Sequence, residues 1–402
     1  MASTPDSADR PNRDAFAKQV LDGIRRAGET RNIVYDKEHF RLFAADEPGN
    51  IFNLVNIFDE YCAASAEGRE KVLRIARRTW FSARRELPED FSDVRPDLLP
   101  AVRARSFFEL LGLQSEVEGH GPGGWPYEVL GEHLAVGLVY DLPEAMQVVR
   151  QVDLDRWGVT LYEALEAARE NLLQWDHPFI GPDQGEGLYM SMTSDGYAAS
   201  RMALMPLVRK FQVKGSPVAM VPNRETLLVA GDEDPKALAA MAALAKDALE
   251  QPRCVSGLAF RLEGEDWEPW LPPLGHAQHQ VLKRLAVQSL GQDYAEQKRL
   301  LDRLHEKTGE DVFVASFNAF QGEDTGEVSS YCIWPEGVHA VLPKADVVAL
   351  MRDPQSRPVM APWERVLQAA GDLVQPLDIY PFRFRVEEFP DEQGLSALDN
   401  LL

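Results

Sequence analysis

The spacing of hydrophobic residues predicts that helices and strands follow each other irregularly along this chain. Residues 14–28 carry apolar positions at helical spacing, and NIVYDKEHFRLFA, residues 32–44, alternates as the two strands of a hairpin do. Between residues 161 and 175 apolar side chains recur at intervals of four and three, which indicates an amphipathic helix. Thr160 and Glu163 stand where a capping box would begin that helix.

The middle of the chain is richer in strand patterns. HLAVGLVYD, GLYMSMT and SGLAFRL predict strands, and TSDGYAASRMALMPLVRKF, residues 193–211, predicts a helix. Residues 216–249 read as strand, turn, strand and helix. Asp234 is placed to cap that helix, and Pro235 occupies its first position, where the missing N–H is not needed.

The last third of the chain has a plan of its own. Helices are predicted at 277–290, at 293–307, in KADVVALM (344–351) and after Pro362, and strands in DVFVASFNAF, SSYCIWP, VHAVLP and IYPFRFRV. Residues 329–351 follow the same order of strand, turn, strand and helix as residues 216–241. This weak echo indicates repeated strand-turn-strand-helix units, with convergence as the alternative.

These elements predict an α+β fold, with mixed or antiparallel sheets and packed helices in two domains. Strands joined by short turns must pair antiparallel, which disfavours a doubly wound parallel sheet. The acidic, proline-rich stretch 264–276 is the predicted boundary. The predicted organisation is a disordered tail at 1–13, a domain at 14–270 (with subdomains 14–115 and 127–270), a C-terminal domain at 276–390 and an acidic tail at 391–402.

Charge narrows the classes of partner. The 402 residues include 64 acidic and 42 basic side chains, a formal net charge of −22, so nucleic acid and anionic membranes are disfavoured. No apolar stretch approaches the roughly 18 residues of a membrane span, and the N-terminus lacks the apolar core of a secretory signal. Cys62, Cys254 and Cys332 are too far apart for a disulfide framework or a CxxC site. We therefore expect a cytoplasmic protein with reduced cysteines.

One segment runs against the acidic trend. Between Arg69 and Arg105 there are ten basic and six acidic residues, and a helix is predicted at 67–86. Its apolar stripe contains Val72, Ala76 and Trp80, and the other faces carry Arg74, Arg77, Arg78, Arg84 and Arg85. These arginines form either a solvated face that balances an acidic neighbour or a docking patch for an acidic ligand or partner.

Motifs of common catalytic and metal sites are weak or missing. GHGPGG places Gly119, Gly121 and Gly124 in a G-x-G-x-x-G pattern, but prolines and a predicted strand follow where a phosphate site requires a helix. His276 and His279 could share one helix face, yet no third ligand lies nearby. The sequence also lacks a GxSxG elbow and a P-loop. No catalytic residue, metal or cofactor is predicted.

The stretch TSDGYAASRM, residues 193–202, offers the most concentrated set of polar candidates. Asp195 and Gly196 are explained by capping of the predicted helix, whereas Tyr197 and Arg201 lie four residues apart on one face. Asp195, Tyr197 and Arg201 are therefore candidate binding residues, with a histidine such as His133 or His177 as a neighbour. A structural helix start is the competing interpretation.

The same region carries a family resemblance. HLAVGLVYDLPEAMQVV, LEAARENL, DGYAASRM and VPNRETLLVA resemble, in that order, segments of the YtpQ-like family of uncharacterised bacterial proteins. The resemblance covers roughly 14–270 and implies a bacterial, cytosolic α+β domain of unknown function, without catalytic residues or cofactors. The matching residues are Asn171, Asp195, Gly196, Tyr197, Ser200, Arg201, Val221 and Pro222. Ala198 stands where the family often has an acidic residue, which weakens a two-carboxylate site.

Together these features predict a non-catalytic cytosolic bacterial protein that acts by binding another protein. The arginine-rich helix and the leucines of the tail (Leu395, Leu398, Leu401 and Leu402) motivate this prediction, since short amphipathic helices often dock in grooves. One alternative is an enzyme of unrecognised type with a cleft around Asp195, Tyr197 and Arg201. Another is a binder of a small anionic ligand through the helix that carries Arg74–Arg85.

Overall fold

The computed structural model describes residues 11–82, 87–119, 124–142, 145–182, 187–322, 326–353 and 355–399. The chain divides into two compact units. Unit 1 comprises residues 1–100, 138–174 and 251–253, and unit 2 comprises residues 101–137, 175–250 and 254–402. Both units combine helices with mostly antiparallel sheets, so the predicted α+β class is confirmed.

The regular elements are numbered in chain order. The helices are α1 (Arg13–Arg26), α2 (Val55–Ala63), α3 (Ala66–Ser82), α4 (Phe91–Val94), α5 (Arg105–Glu118), α6 (Gln151–Trp157), α7 (Leu161–Leu173), α8 (Met205–Val208), α9 (Pro235–Leu249), α10 (His279–Thr308), α11 (Trp363–Ala370) and α12 (Glu392–Asp399). Short 3₁₀ turns lie at Arg95–Asp97, Ala199–Ala203 and Gly371–Leu373.

The strands are numbered in the same way. They are β1 (Ile33–Asp36), β2 (Arg41–Ala44), β3 (Glu47–Asn53), β4 (Leu98–Ala104), β5 (Tyr127–Leu130), β6 (Leu134–Leu142), β7 (Ala145–Val148), β8 (Phe179–Ile180), β9 (Tyr189–Ser191), β10 (Pro217–Asn223), β11 (Thr226–Gly231), β12 (Ala259–Glu263), β13 (Asp266–Trp270), β14 (Phe313–Val314), β15 (Asn318–Gln321), β16 (Val328–Pro335), β17 (Ala340–Pro343), β18 (Val347–Met351), β19 (Val359–Pro362), β20 (Gln375–Pro376) and β21 (Arg383–Val386).

Unit 1 packs α1, α2 and α3 with the antiparallel sheet β1–β2–β3. The side chain of Asn12 caps α1 by accepting hydrogen bonds from two backbone amides, which satisfies donors that a helix start leaves unpaired. Trp80 is fully buried in the core, and its indole N–H donates to Glu29 at 2.8 Å. The predicted helix at 14–28 and the hairpin at 32–44 are confirmed.

Helix α7 also belongs to unit 1 and begins as the sequence predicts. The backbone amide of Glu163 donates to the Thr160 hydroxyl at 3.2 Å, and the amide of Thr160 donates to the Glu163 carboxylate at 2.8 Å. Near the end of this helix, the Asn171 side chain donates to the carbonyl oxygens of Arg95 and Leu98. Asn171 therefore ties α7 to the turn before β4.

Unit 2 contains a six-stranded sheet in the order β13–β12–β10–β11–β9–β8. Helix α9 packs on β10 and β11, and buries Leu238 and Met241 against Val218 and Leu228. The Asp234 carboxylate accepts from two amides of the first turn of α9, and Pro235 occupies the first position, as predicted. This strand-turn-strand-helix segment is confirmed.

The remainder of unit 2 has two four-stranded sheets, β14–β17–β21–β20 and β15–β16–β18–β19. Strand β16 pairs in parallel with β18, and β18 pairs antiparallel with β19. The core of this region contains both tryptophans Trp334 and Trp363, and α12 adds Leu395 and Leu398 to it. The two tail leucines therefore pack within their own unit, while Leu401 and Leu402 lie outside the described residues.

One helix prediction in this region is wrong. Residues 347–351 of KADVVALM form strand β18. A short, continuous apolar run is compatible with either a buried helix or a buried strand, and only pairing with neighbouring strands decides between them. The second half of the apparent repeat therefore ends in a strand, whereas the first half ends in α9.

Two other helices also differ from their predictions. The segments 277–290 and 293–307 form one continuous helix, α10, because Gly291 is accommodated without a break. Residues 193–211 form a 3₁₀ turn and the short helix α8 instead of one long helix. Gly196 has a φ of +83°, and the amide of Ala199 donates to the carbonyl of Arg224, so the first turn of an α-helix cannot form there.

The stretch 264–276, predicted as a domain boundary, contains a paired strand. β13 forms an antiparallel hairpin with β12, from Ala259 opposite Trp270 to Glu263 opposite Asp266. Both strands belong to unit 2.

Candidate functional site

Unit 2 encloses a cavity of about 350 Å³. Its walls include the turn between β5 and β6, the start of β12, the end of β13, one face of α10, the connection from β17 to β18, the start of α11 and residues 380–382, together with Phe317 and Ser330. The volume is that of a pocket for a small organic molecule. Six aromatic side chains line it: Trp270, Tyr294, Phe317, Trp363, Tyr380 and Phe382.

Helix α10 forms one wall through residues at helical spacing. Lys283, Ala286, Val287, Leu290 and Tyr294 follow each other at intervals of three or four residues, apart from one adjacent pair, and therefore share one face. The helix ends at Gly309, whose φ of +76° is typical of a left-handed C-cap. The Tyr294 ring stacks on Phe317 at a centroid distance of 4.8 Å, which extends this wall.

The turn between β5 and β6 presents Glu132 and His133 to the cavity. Gly131 has a φ of +61°, and a Cβ atom on it would lie 2.9 Å from both the Phe260 ring and the Trp267 carbonyl oxygen. Only glycine fits that position. Glu132 has a φ of +58°, a conformation that disfavours side chains other than asparagine and aspartate. Backbone strain of this kind is concentrated at functional sites.

His133 joins the turn to Tyr380. The Tyr380 hydroxyl lies 2.6 Å from Nδ1 of His133, and Nε2 of His133 lies 3.3 Å from the Glu132 carboxylate. Burial lowers the pKa of His133 to about 4, although the Glu132 charge opposes this shift. The imidazole is therefore neutral near neutral pH. Its Nδ1 accepts from the Tyr380 hydroxyl, and its Nε2 lies near the Glu132 carboxylate.

Burial also keeps Tyr380 protonated. It raises the pKa of Tyr380 well above the usual value, and the nearby Asp293 adds to the shift. The Arg105 guanidinium lies over the Tyr380 ring, 4.7 Å from its centroid, and over Phe382 at 5.5 Å. Arg105 thereby holds both rings in place, and Tyr380 acts as a hydrogen-bond donor with a fixed orientation.

Two ion pairs lie at the cavity. Lys344 Nζ is 3.7 Å from the Glu132 carboxylate, and Lys283 Nζ is 3.3 Å from the Asp346 carboxylate. The same carboxylate oxygen of Asp346 accepts from the amide and the hydroxyl of Ser330, at 2.8 and 2.9 Å. Asp346 is thus held firmly, whereas the side chain of Lys344 is half exposed and its contact with Glu132 is long.

A buried arginine, Arg383, contacts the wall of the cavity. Arg383 is fully buried, and its guanidinium donates to Gln297 Oε1 at 2.6 Å and to the backbone carbonyls of Tyr294, Ala315 and Val341. Burial lowers the pKa of Arg383 to about 10, which leaves it charged at neutral pH. These bonds join α10 to β17 and β21, and so fix Tyr294 in the wall.

The predicted candidates Asp195, Tyr197 and Arg201 lie elsewhere in unit 2 and do not line this cavity. Arg201 is fully buried and forms a two-point ion pair with Asp195, with N–O distances of 3.1 and 2.7 Å. Its Nε lies 3.1 Å from Nδ1 of His177, so the structure does bring this histidine to Arg201. Burial opposes ionisation of Asp195, but hydrogen bonds from Arg201 and the Tyr197 amide lower its pKa.

Neighbouring side chains of that motif are also enclosed. Tyr197 is 1 % exposed and packs edge-on against Trp175, and Ser200 is fully buried with its hydroxyl accepting from the Val102 amide at 3.2 Å. Together these contacts form a network around the buried Arg201, in which the Asp195 side chain remains 26 % exposed.

The predicted arginine patch lies on α3 in unit 1. Arg74 and Arg78 are exposed and Arg77 is partly exposed, while Arg84 and Arg85 lie outside the described residues. Val72, Ala76 and Trp80 are buried, as the apolar stripe predicts. A role of these arginines in binding an acidic ligand or a protein partner stays a prediction.

The weak motifs have local structural roles. Gly119 is the left-handed cap of α5, and residues 120–123 of GHGPGG lie outside the described residues; the chain continues into strand β5. Nδ1 of His276 accepts from the Gln278 amide, and Nδ1 of His279 lies close to the Pro272 carbonyl. Within the described ranges, no group of three or more histidine, cysteine and acidic side chains is placed to hold a metal.

The sequence suggested His133 as a neighbour of Asp195, Tyr197 and Arg201, whereas the structure places it at the cavity, which those residues do not line. The sequence did not single out Glu132, Lys283, Lys344, Asp346 or Tyr380. The one local signal was Leu130-Gly131-Glu132-His133, a turn between two strands in which a charged residue follows glycine. The other cavity residues lie up to about 250 positions further along the chain, and no local pattern connects them.

Comparisons with known proteins identify no relative of this chain. No protein-family model matches the chain, and neither the curated proteins nor the solved structures searched contain a match. Among the described residues, no helix has the length and apolar character needed to cross a membrane.

Proposed function

We propose that this protein binds a small organic molecule in the cavity of unit 2. The observation that carries the proposal is a pocket of about 350 Å³ with aromatic walls and a few fixed polar groups. Pockets of this size and composition are the usual sites for small ligands. The strained Glu132, which places its carboxylate at the cavity, supports the same assignment.

The hydrogen bonds at the cavity favour binding over proton-transfer chemistry. The Tyr380 hydroxyl already occupies Nδ1 of His133, and Nε2 lies 3.3 Å from the Glu132 carboxylate. Its lowered pKa makes the imidazole a weak base, and the raised pKa of Tyr380 makes the phenol a weak acid. A ligand would therefore meet a preorganised set of polar groups rather than an activated nucleophile or base.

The proposal is tested by filling the cavity. Ala286 lies on the face of α10 that lines it, and Ala295 is an exposed alanine on the same helix that does not. Indole serves as a neutral aromatic probe, observed by saturation-transfer NMR on the full chain. We expect transfer to indole with the unmodified protein and with Ala295→Phe, and its loss with Ala286→Phe.

Circular dichroism and thermal melting establish that both variants are folded. Indole signals that survive in folded Ala286→Phe, or that are missing from the unmodified protein, would overturn the proposal.

We further propose a cytoplasmic, bacterial setting. The support is the YtpQ-like resemblance over roughly 14–270 and the acidic composition of the chain. Fractionation of the native host, with the protein followed by an antibody, tests the location, and recovery in the membrane or secreted fraction would contradict it.

A further inference from the structure

We infer that the ligand of the unit 2 cavity is a zwitterion of the amino-acid type, with an ammonium and a carboxylate close together and an aromatic or large aliphatic side chain. This inference rests on the proposed function and specifies its ligand. It is drawn from the order of charges at the cavity and from the aromatic walls beside them.

Five charged side chains line the cavity: Glu132, Lys283, Lys344, Asp346 and the exposed Glu364. Four of them form two ion pairs. Glu132 pairs with Lys344, and Asp346 pairs with Lys283. Lys344 and Asp346 are two residues apart in the connection between β17 and β18, on either side of the buried Ala345. The order in the two pairs is therefore carboxylate, ammonium, carboxylate, ammonium, and the formal charges of the two pairs cancel.

This arrangement discriminates among ligand charges. An anion that binds Lys344 would separate it from Glu132 and leave that carboxylate, which is 38 % exposed, without its paired cation. A cation that takes Glu132 would leave Lys344 unpaired in the same way. A zwitterion offers a carboxylate to Lys344 and an ammonium to Glu132 at once, so no charge loses its compensation.

The neutral His133 fits the same interpretation. Because burial lowers the pKa of His133 to about 4, the imidazole adds no positive charge to the row at neutral pH. The charge of the site is then set by the two ion pairs, whose charges cancel, and by the exposed Glu364 at its rim. Trp270, Trp363 and Phe382 form apolar surface for the side chain of the ligand.

The test compares four compounds that share one ring: L-phenylalanine, 3-phenylpropionate, phenethylamine and benzyl alcohol. Isothermal titration calorimetry with the full chain measures each dissociation constant at neutral pH. We expect L-phenylalanine to bind at least about tenfold more tightly than each of the other three.

Two variants probe the charge row, and one serves as a control. Glu132→Gln and Lys344→Met should each reduce the preference for L-phenylalanine over benzyl alcohol by about tenfold, while benzyl alcohol binding changes little. Lys298→Met removes a lysine of α10 that also pairs with a carboxylate, Asp302, but does not line the cavity. It should leave the preference unchanged.

The outcomes separate this inference from the proposed function. If benzyl alcohol or either singly charged compound binds as tightly as L-phenylalanine, the zwitterion is refuted while the cavity remains a ligand site. If none of the four compounds binds, nor indole, both the ligand class and the proposed function fail.

Discussion

Replacing Asp195 by asparagine tests whether the buried Asp195–Arg201 pair is structural. Arg201 is fully buried, and two of its five side-chain hydrogen bonds go to the Asp195 carboxylate. Asparagine keeps the size of the side chain but removes its charge, so the guanidinium would remain buried without a counter-charge. Breaking a buried pair from one side typically costs about 3–5 kcal/mol.

The geometry places the expected loss at the lower end, about 3 kcal/mol, because the Asp195 side chain is 26 % exposed and water can replace part of the lost interaction. The remaining partners of Arg201, namely Thr193, His177 and the Asp176 carbonyl, stay in place and retain part of its stabilisation. An exposed pair provides the matched control. Glu296 and Arg299 are each 45 % exposed, and Glu296→Gln should change stability by less than about 0.5 kcal/mol.

Urea unfolding is the assay, followed by tryptophan fluorescence and circular dichroism. Trp175 packs against Tyr197 at a centroid distance of 5.5 Å and so reports on this part of unit 2. The loss of unfolding free energy caused by Asp195→Asn is measured in the unmodified chain and in an Arg201→Met background. In that background the loss should fall to about 1 kcal/mol. An effect no larger than that of Glu296→Gln, or one that persists without Arg201, would refute the reasoning.

Two further predictions concern unit 2. Burial raises the pKa of Asp293 to about 7, against an opposing hydrogen bond from Ser106. The folded protein therefore binds more protons than the unfolded chain between the ordinary carboxyl pKa of 3.8 and about 7, and stability falls as pH rises through that window. In calorimetric melting, Asp293→Asn should stabilise unit 2 by about 1–3 kcal/mol at about pH 8 and change its stability little at about pH 4. Equal effects at the two pH values would contradict this prediction. Gly131→Ala should lower the melting temperature more than Gly264→Ala. Both glycines have positive φ, but only at Gly131 would a Cβ atom lie 2.9 Å from Phe260 and from Trp267. Equal losses for the two variants would show that the close contact is relieved without cost.

Local chemistry in the sequence determined where several helices begin. Thr160 with Glu163, and Asp234 with Pro235, satisfy the free amides of a helix start through atoms only two or three residues away. The alternation of 32–44 likewise needs only neighbouring residues to pair as a hairpin. These predictions hold because the interactions that decide them are short-range, and the α+β class follows from summing them.

Tertiary structure decided the elements whose local signals are ambiguous. Residues 347–351 are apolar without a break, and they became a strand because β16 and β19 pair with them on either side. Residues 193–211 did not become one long helix. The backbone carbonyl of Arg224, which lies beyond them in the sequence, accepts a hydrogen bond from the Ala199 amide. Competition between a local and a distant hydrogen-bond partner cannot be read from a short window of sequence.

The site residues also divide into those that the sequence identified and those that only the tertiary structure brought together. The sequence identified Asp195, Tyr197 and Arg201 because they lie close together along the chain, and that closeness proved to serve a buried ion pair within their own segment. The cavity instead combines Glu132 and His133 with Lys344, Asp346 and Tyr380, which are separated by more than two hundred positions. The sequence by itself specifies these charged and aromatic side chains, but it does not show that they meet. Only the packing of α10, the strand connections and the β5–β6 turn in unit 2 placed them around one space, because burial of their apolar neighbours sets the positions of these distant segments.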